Sequence, residues 1–103
     1  MHTPRLSVVV HLLPPGEGGR DAAPFADGRY RPHLRVGADG EYLGVVFAGG
    51  AELALGSECA ATVELVYEGV DYAALRPGVE FSVLEGTRVV GSGVVRGDRK
   101  SVV

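Results

Sequence analysis

The chain has 103 residues, and at that length folding buries roughly two-thirds of the unfolded surface, enough for one hydrophobic core and too little for two. Residues 1–103 are therefore expected to form a single domain, and with 46% hydrophobic and 22% charged residues its composition is that of a soluble globular protein. The net charge of −3 argues against a nucleic-acid binder driven by bulk electrostatics, and no apolar run approaches the ~20 residues of a membrane-spanning helix.

In chain order, the first element expected is a strand over Leu6 to Leu13, with Leu6, Val8, Val10 and Leu12 on one apolar face. The basic residue and apolar run here superficially resemble a secretory signal. Ser7 and His11 interrupt the run, however, and Pro14-Pro15 stands where a small-residue cleavage site would be needed. Gly16 to Pro32 is rich in Gly, Pro and Asp without a sustained period, so it reads as a long loop, with Phe25 and Tyr30 as its anchors on the core. His33 to Gly37 and Glu41 to Ala48 form a hairpin around Asp39-Gly40, ended by Gly49-Gly50, and Ala51 to Ser57 shows no clear preference. Cys59 to Glu68 alternates, which directs Cys59, Ala61, Val63, Leu65 and Tyr67 inward and leads to the expectation of a buried, unreactive Cys59. Asp71 to Leu75 suggests one helical turn halted before Pro77.

The strongest pattern is Val79 to Val95. Val79, Phe81 and Val83 share a face, Glu85-Gly86-Thr87-Arg88 makes a tight connection, and the return strand carries Gly91 and Gly93 on one face, where another backbone is expected to lie close. The tail beyond Gly97 is expected to fray. The whole reads as an all-β closed antiparallel barrel of about six strands, with Val8, Val10, Val63, Leu65, Phe81 and Val83 in its core.

Motifs of chemistry are weak. Gly91-Ser92-Gly93 lacks the third glycine and following helix of a dinucleotide site, and Gly16-Glu17-Gly18-Gly19 lacks the Gly-Lys-Ser/Thr of a nucleoside-triphosphate loop. His2, His11, His33 and Cys59 do not fall at close zinc-ligand spacing, so neither a metal nor a cofactor is expected. A lone cysteine cannot form an internal disulfide and fits a reducing cytoplasm. No catalytic set emerges. Charge is uneven: between Asp39 and Glu85 the acidic residues are met by Arg76 alone, whereas Arg5, Arg20, Arg29, Arg31, Arg35, Arg88, Arg96, Arg99 and Lys100 lie toward the two ends.

Three blocks, in order, carry a family resemblance that covers nearly the whole chain from Arg5 to Arg96. The loop EGGRDAAPFADGRYRP (Glu17 to Pro32), the strand TVELV (Thr62 to Val66) and the ending FSVLEGTRVVGSGVV (Phe81 to Val95) resemble the third, C-terminal β-barrel domain of bacterial elongation factor Tu. The resemblance implies a single six-stranded antiparallel Greek-key barrel. It does not carry nucleotide binding, because the factor's GTPase domain and middle barrel have no counterpart in these residues. In the family the same loop and last hairpin pack against the GTPase domain, which implies a protein-binding surface at Gly18, Arg20, Ser82 and Glu85, framed by Phe25 and Tyr30. The family barrel also touches the T-stem of aminoacyl-tRNA through basic residues. Tyr67 and Leu84 stand here where two of those cations are expected, while Glu85 and Gly86 match. The leading expectation is a stand-alone, non-catalytic protein-binding module associated with translation in the cytoplasm, with no membrane and no nucleotide partner. The alternative is an RNA- or tRNA-associated module using Arg29, Arg31, Arg88 and Gly86, and an unrecognised enzyme ranks third.

Overall fold

The structure, a computed structural model, describes residues 4–19, 22–49 and 51–98. Its strands are β1 (Arg5–Leu12), β2 (Phe25–Ala26), β3 (His33–Arg35), β4 (Leu43–Gly44), β5 (Val46–Ala48), β6 (Ala51–Glu52), β7 (Glu58–Glu64), β8 (Glu80–Glu85) and β9 (Arg88–Asp98). A short 3-10 turn at Pro15–Glu17 is the one helical element among the described residues. Among those residues no helix is long and apolar enough to cross a membrane.

Seven strands form one antiparallel sheet in the order β4-β3-β8-β9-β1-β7-β5, and β2 pairs with β6 beside it. The end strands β4 and β5 are neighbours in the chain, separated by Val45 alone, so the sheet curls until its two ends meet and the barrel is nearly closed. Backbone bonds continue across this seam: the Val45 and Phe47 amides donate to Pro32 and Tyr30 carbonyls at 3.1 and 3.0 Å.

Alternation builds the interior. Along β1, Leu6, Val8, Val10 and Leu12 are buried, as their spacing predicts, and they meet Val63, Phe81, Val83, Val90 and Val95 in one cluster. Gly91 and Gly93 lie against the β1 backbone as expected. A Cβ on Gly91 would come 2.6 Å from the His11 carbonyl oxygen, and one on Gly93 would come 2.5 Å from that of Val9 and 2.6 Å from the Phe81 ring. The connection at the end of β8 is the two-residue Gly86-Thr87, with Gly86 at φ 63°, a conformation that favours glycine.

Five expectations need correction. Strict alternation fails in the last hairpin, because a bulge between Val83 and Leu84 leaves Val90 without a partner on β8. Val90 consequently joins the core cluster beside Gly91, while Leu84, buried outside that cluster, and its exposed partner Val89 lie on the other face. Leu65 packs only partly buried against the core, since β7 ends at Glu64, where its partner β1 begins. One further bond, from the Leu65 amide to the Pro4 carbonyl at 2.9 Å, closes the ladder, and Pro4 has no N–H to extend it. Tyr67, expected inside, is exposed and lies over Gly44. Cys59 is only partly buried, one step from the end of the β1–β7 register. Finally, Asp71 to Leu75 forms no helix; the Leu75 amide donates to the Tyr72 carbonyl at 2.9 Å in a simple turn.

Candidate functional site

Among the described residues two surfaces stand out. The first joins the long loop to the last hairpin. Tyr30 ends the loop where β3 begins, and its ring is buried against Phe47 with centroids 5.4 Å apart. That anchoring leaves its hydroxyl to donate to Glu85 Oε2 at 2.7 Å. Phe25, by contrast, does not pin the loop. It sits on β2 with half of its surface exposed, because the two-residue β2–β6 ribbon buries Ala26 and turns its neighbour outward. Pro24, Phe25, Asp27, Arg29 and Tyr30 line a hollow of about 370 Å³ here.

Local bonds shape that hollow. Asp27 accepts from the Arg29 backbone N–H at 3.2 Å and from its Nε at 2.9 Å. The Arg29 guanidinium accordingly holds the Asp27 carboxyl below the usual range, and the carboxylate raises Arg29 in return. Both groups are solvent-exposed, so water screens the pair. Gly18 caps the 3-10 turn at φ 90° and is exposed. Gly86, Arg88 and Arg31 are also exposed, and Arg88 lies opposite Glu85 in the hairpin register. Arg20 lies outside the described residues. The structure thus brings Tyr30 to Glu85 and sets Phe25 on the rim of the hollow that Tyr30 lines, whereas Ser82 belongs elsewhere.

Ser82 lines the second surface, a groove of about 620 Å³ across the outer face of the sheet. The registers place five residues of five adjacent strands in one row: Glu58 opposite His11, His11 opposite Ser92, Ser92 opposite Ser82, and Ser82 opposite Arg35. Val9 and Val94, paired with each other in the next row, are also in its lining. The row mixes a carboxylate, an imidazole, two hydroxyls and a guanidinium, but among the described residues no three of His, Cys, Asp and Glu gather as a metal site. His2 lies outside the described residues.

Sequence reasoning missed this row. The hairpin alone could have placed Ser82 and Ser92 together, yet an unbulged hairpin would set Gly91 opposite Ser82, and nothing in the sequence announces the bulge. A third cluster is structural: the Tyr72 hydroxyl donates to the Gly44 carbonyl at 2.6 Å and accepts from the Tyr67 amide at 3.3 Å. Burial pushes the Tyr72 phenol above its ordinary range. Compared with known protein families, the chain matches no family model.

Proposed function

We propose that the chain is a non-catalytic protein-binding module built on a barrel of the elongation factor Tu C-terminal type, acting in the cytoplasm in association with translation. The strand count supports the fold part of this reading: taking residues 43–48 as one bent strand leaves six around the nearly closed sheet. The observation that carries the functional part is the Tyr30–Glu85 hydrogen bond, which ties together segments 55 residues apart. It holds the end of the long loop against the last hairpin, the same two segments that the resemblance assigns to a protein contact. Beside it stands the exposed ring of Phe25, and a large aromatic framed by polar groups suits a protein interface better than solvent.

The RNA-associated alternative draws less support. Of the three arginines this reading uses, Arg29 is already engaged by Asp27, which leaves Arg31 and Arg88 for phosphates. Among the described residues no constellation of side chains stands behind an enzyme reading. To test the proposal, wild type and a Phe25→Ala, Glu85→Ala double variant are used as bait in host extract. Partner recovery falls at least tenfold for the variant if this surface binds, while an unchanged set of partners refutes it. Capture that survives the variant but disappears between ~50 and ~200 mM salt supports the RNA alternative instead.

A further inference from the structure

We propose that the outer groove is a second, independent binding site, which receives the free C-terminal end of an extended peptide. Arg35 carries the argument. Its Nε is closed off from solvent and makes no hydrogen bond among the described residues, so the two terminal nitrogens are the ones left for a ligand in the groove that Arg35 lines. The guanidinium is held over the Tyr42 ring, 5.6 Å from the centroid, which fixes its plane. A fixed, unpaired guanidinium is suited to a carboxylate, which it can grip through two parallel bonds.

The rest of the row tells what is attached to that carboxylate. Ser82 and Ser92 follow Arg35 on the next two strands, and each hydroxyl can donate to or accept from a peptide backbone. Val9 and Val94 offer apolar contact for side chains. At the far end Glu58 asks for a cation, and Glu80, opposite Val94, adds acidity that a polyanion would meet with repulsion. Arg35, Glu58 and Glu80 make no ion pair among the described residues, so these charges are available. Followed along the curved face, four strand spacings of ~4.8 Å make the row about 19 Å long, and roughly six extended residues at ~3.3 Å each trace it. The occupant is thus a peptide ending in a free carboxylate on Arg35, with a basic residue about five positions earlier on Glu58. This is carboxylate capture at a built site, not addition of a strand to a sheet edge.

The test is an NMR titration of the ¹⁵N-labelled chain with acetyl-Lys-Gly-Val-Ala-Ser-Val bearing a free C-terminus. Saturable shifts are expected at His11, Ser82, Ser92 and Val94. Amidating the peptide C-terminus weakens binding by about tenfold or more, and Arg35→Gln does the same, since each removes a charge-assisted pair. Glu58→Lys weakens the lysine peptide and prefers its Lys-to-Glu counterpart. This charge exchange decides the matter even if Arg35→Gln fails to fold. No saturable shift up to about 5 mM peptide overturns the proposal. So do equal affinities for free acid and amide, shifts confined to residues 22–32, or binding of acetate as tight as that of the peptide.

Discussion

The wall formed by β8, β9 and β1 is held far more densely than the loop from Ala22 to Pro32. In the wall, register is enforced by backbone against backbone: Gly91 and Gly93 leave no room for even a methyl group beside β1, and the bulge at Val90 adjusts which residues face inward. In the loop the holding is intermittent: Tyr30 packs on Phe47 and bonds to Glu85, the short β2–β6 ribbon and scattered backbone bonds such as Gly28 to Phe47 tie it down between, and Phe25 is left outside. A surface secured at intervals can change its exposed residues without cost to the core, which is why binding residues collect there. A wall secured at every register step cannot.

The largest effect is expected where the two regions meet. Phe47 is fully buried on β5, pairs with Val63 and stacks on Tyr30, so Phe47→Ala loses about 3–5 kcal/mol and loosens wall and loop together, as denaturant unfolding will report. Next comes Gly93→Ala, confined to the wall. Its methyl group meets a carbonyl that cannot move aside, and a cost of about 3 kcal/mol, at the upper end of overpacking, is expected. Should Gly93→Ala prove neutral, the tight-wall half of the comparison fails. Tyr30→Phe loosens the loop–hairpin contact and costs about 1 kcal/mol, the worth of one partly buried hydrogen bond, with the ring packing retained.

Smaller still is a pH effect at Tyr72. Its folded pKa is raised by burial, so the stability it contributes is complete below its unfolded value of about 10 and is lost as pH rises through the higher folded value. A melting-temperature series above pH 10 should therefore fall more steeply for wild type than for Tyr72→Phe. The smallest stability change belongs to Phe25→Ala, within about 0.5 kcal/mol because half of the ring is already in water. Its effect should show in partner capture alone.

What the sequence made legible follows the same division. Period-two alternation located β1, β8 and most of the core because burial on one face enforces it over many residues. The paired glycines of β9 were readable as a close approach for the same reason. Where a single contact decides the outcome, reading failed. The end of β7 at Glu64 depends on where β1 happens to start, and the outward turn of Phe25 depends on a two-residue ribbon. The row from Glu58 to Arg35 needed the registers of five strands and one bulge, none of which is a local property of the chain. Joining Tyr30 to Glu85 likewise required the fold; only the family resemblance put the two segments on one surface beforehand.

The most direct test of the account is amide hydrogen exchange on the protein alone and with its captured partner. Without the partner, the amides of the β8–β9–β1 wall should exchange at the rate set by global unfolding, and those of residues 22–32 much faster. With the partner bound, new protection should appear in residues 22–32 and at Glu85 to Arg88 and leave the outer face of the wall unchanged. Protection gained elsewhere, with the loop and hairpin turn unaffected, would contradict the claim that the loosely held surface is the one that binds.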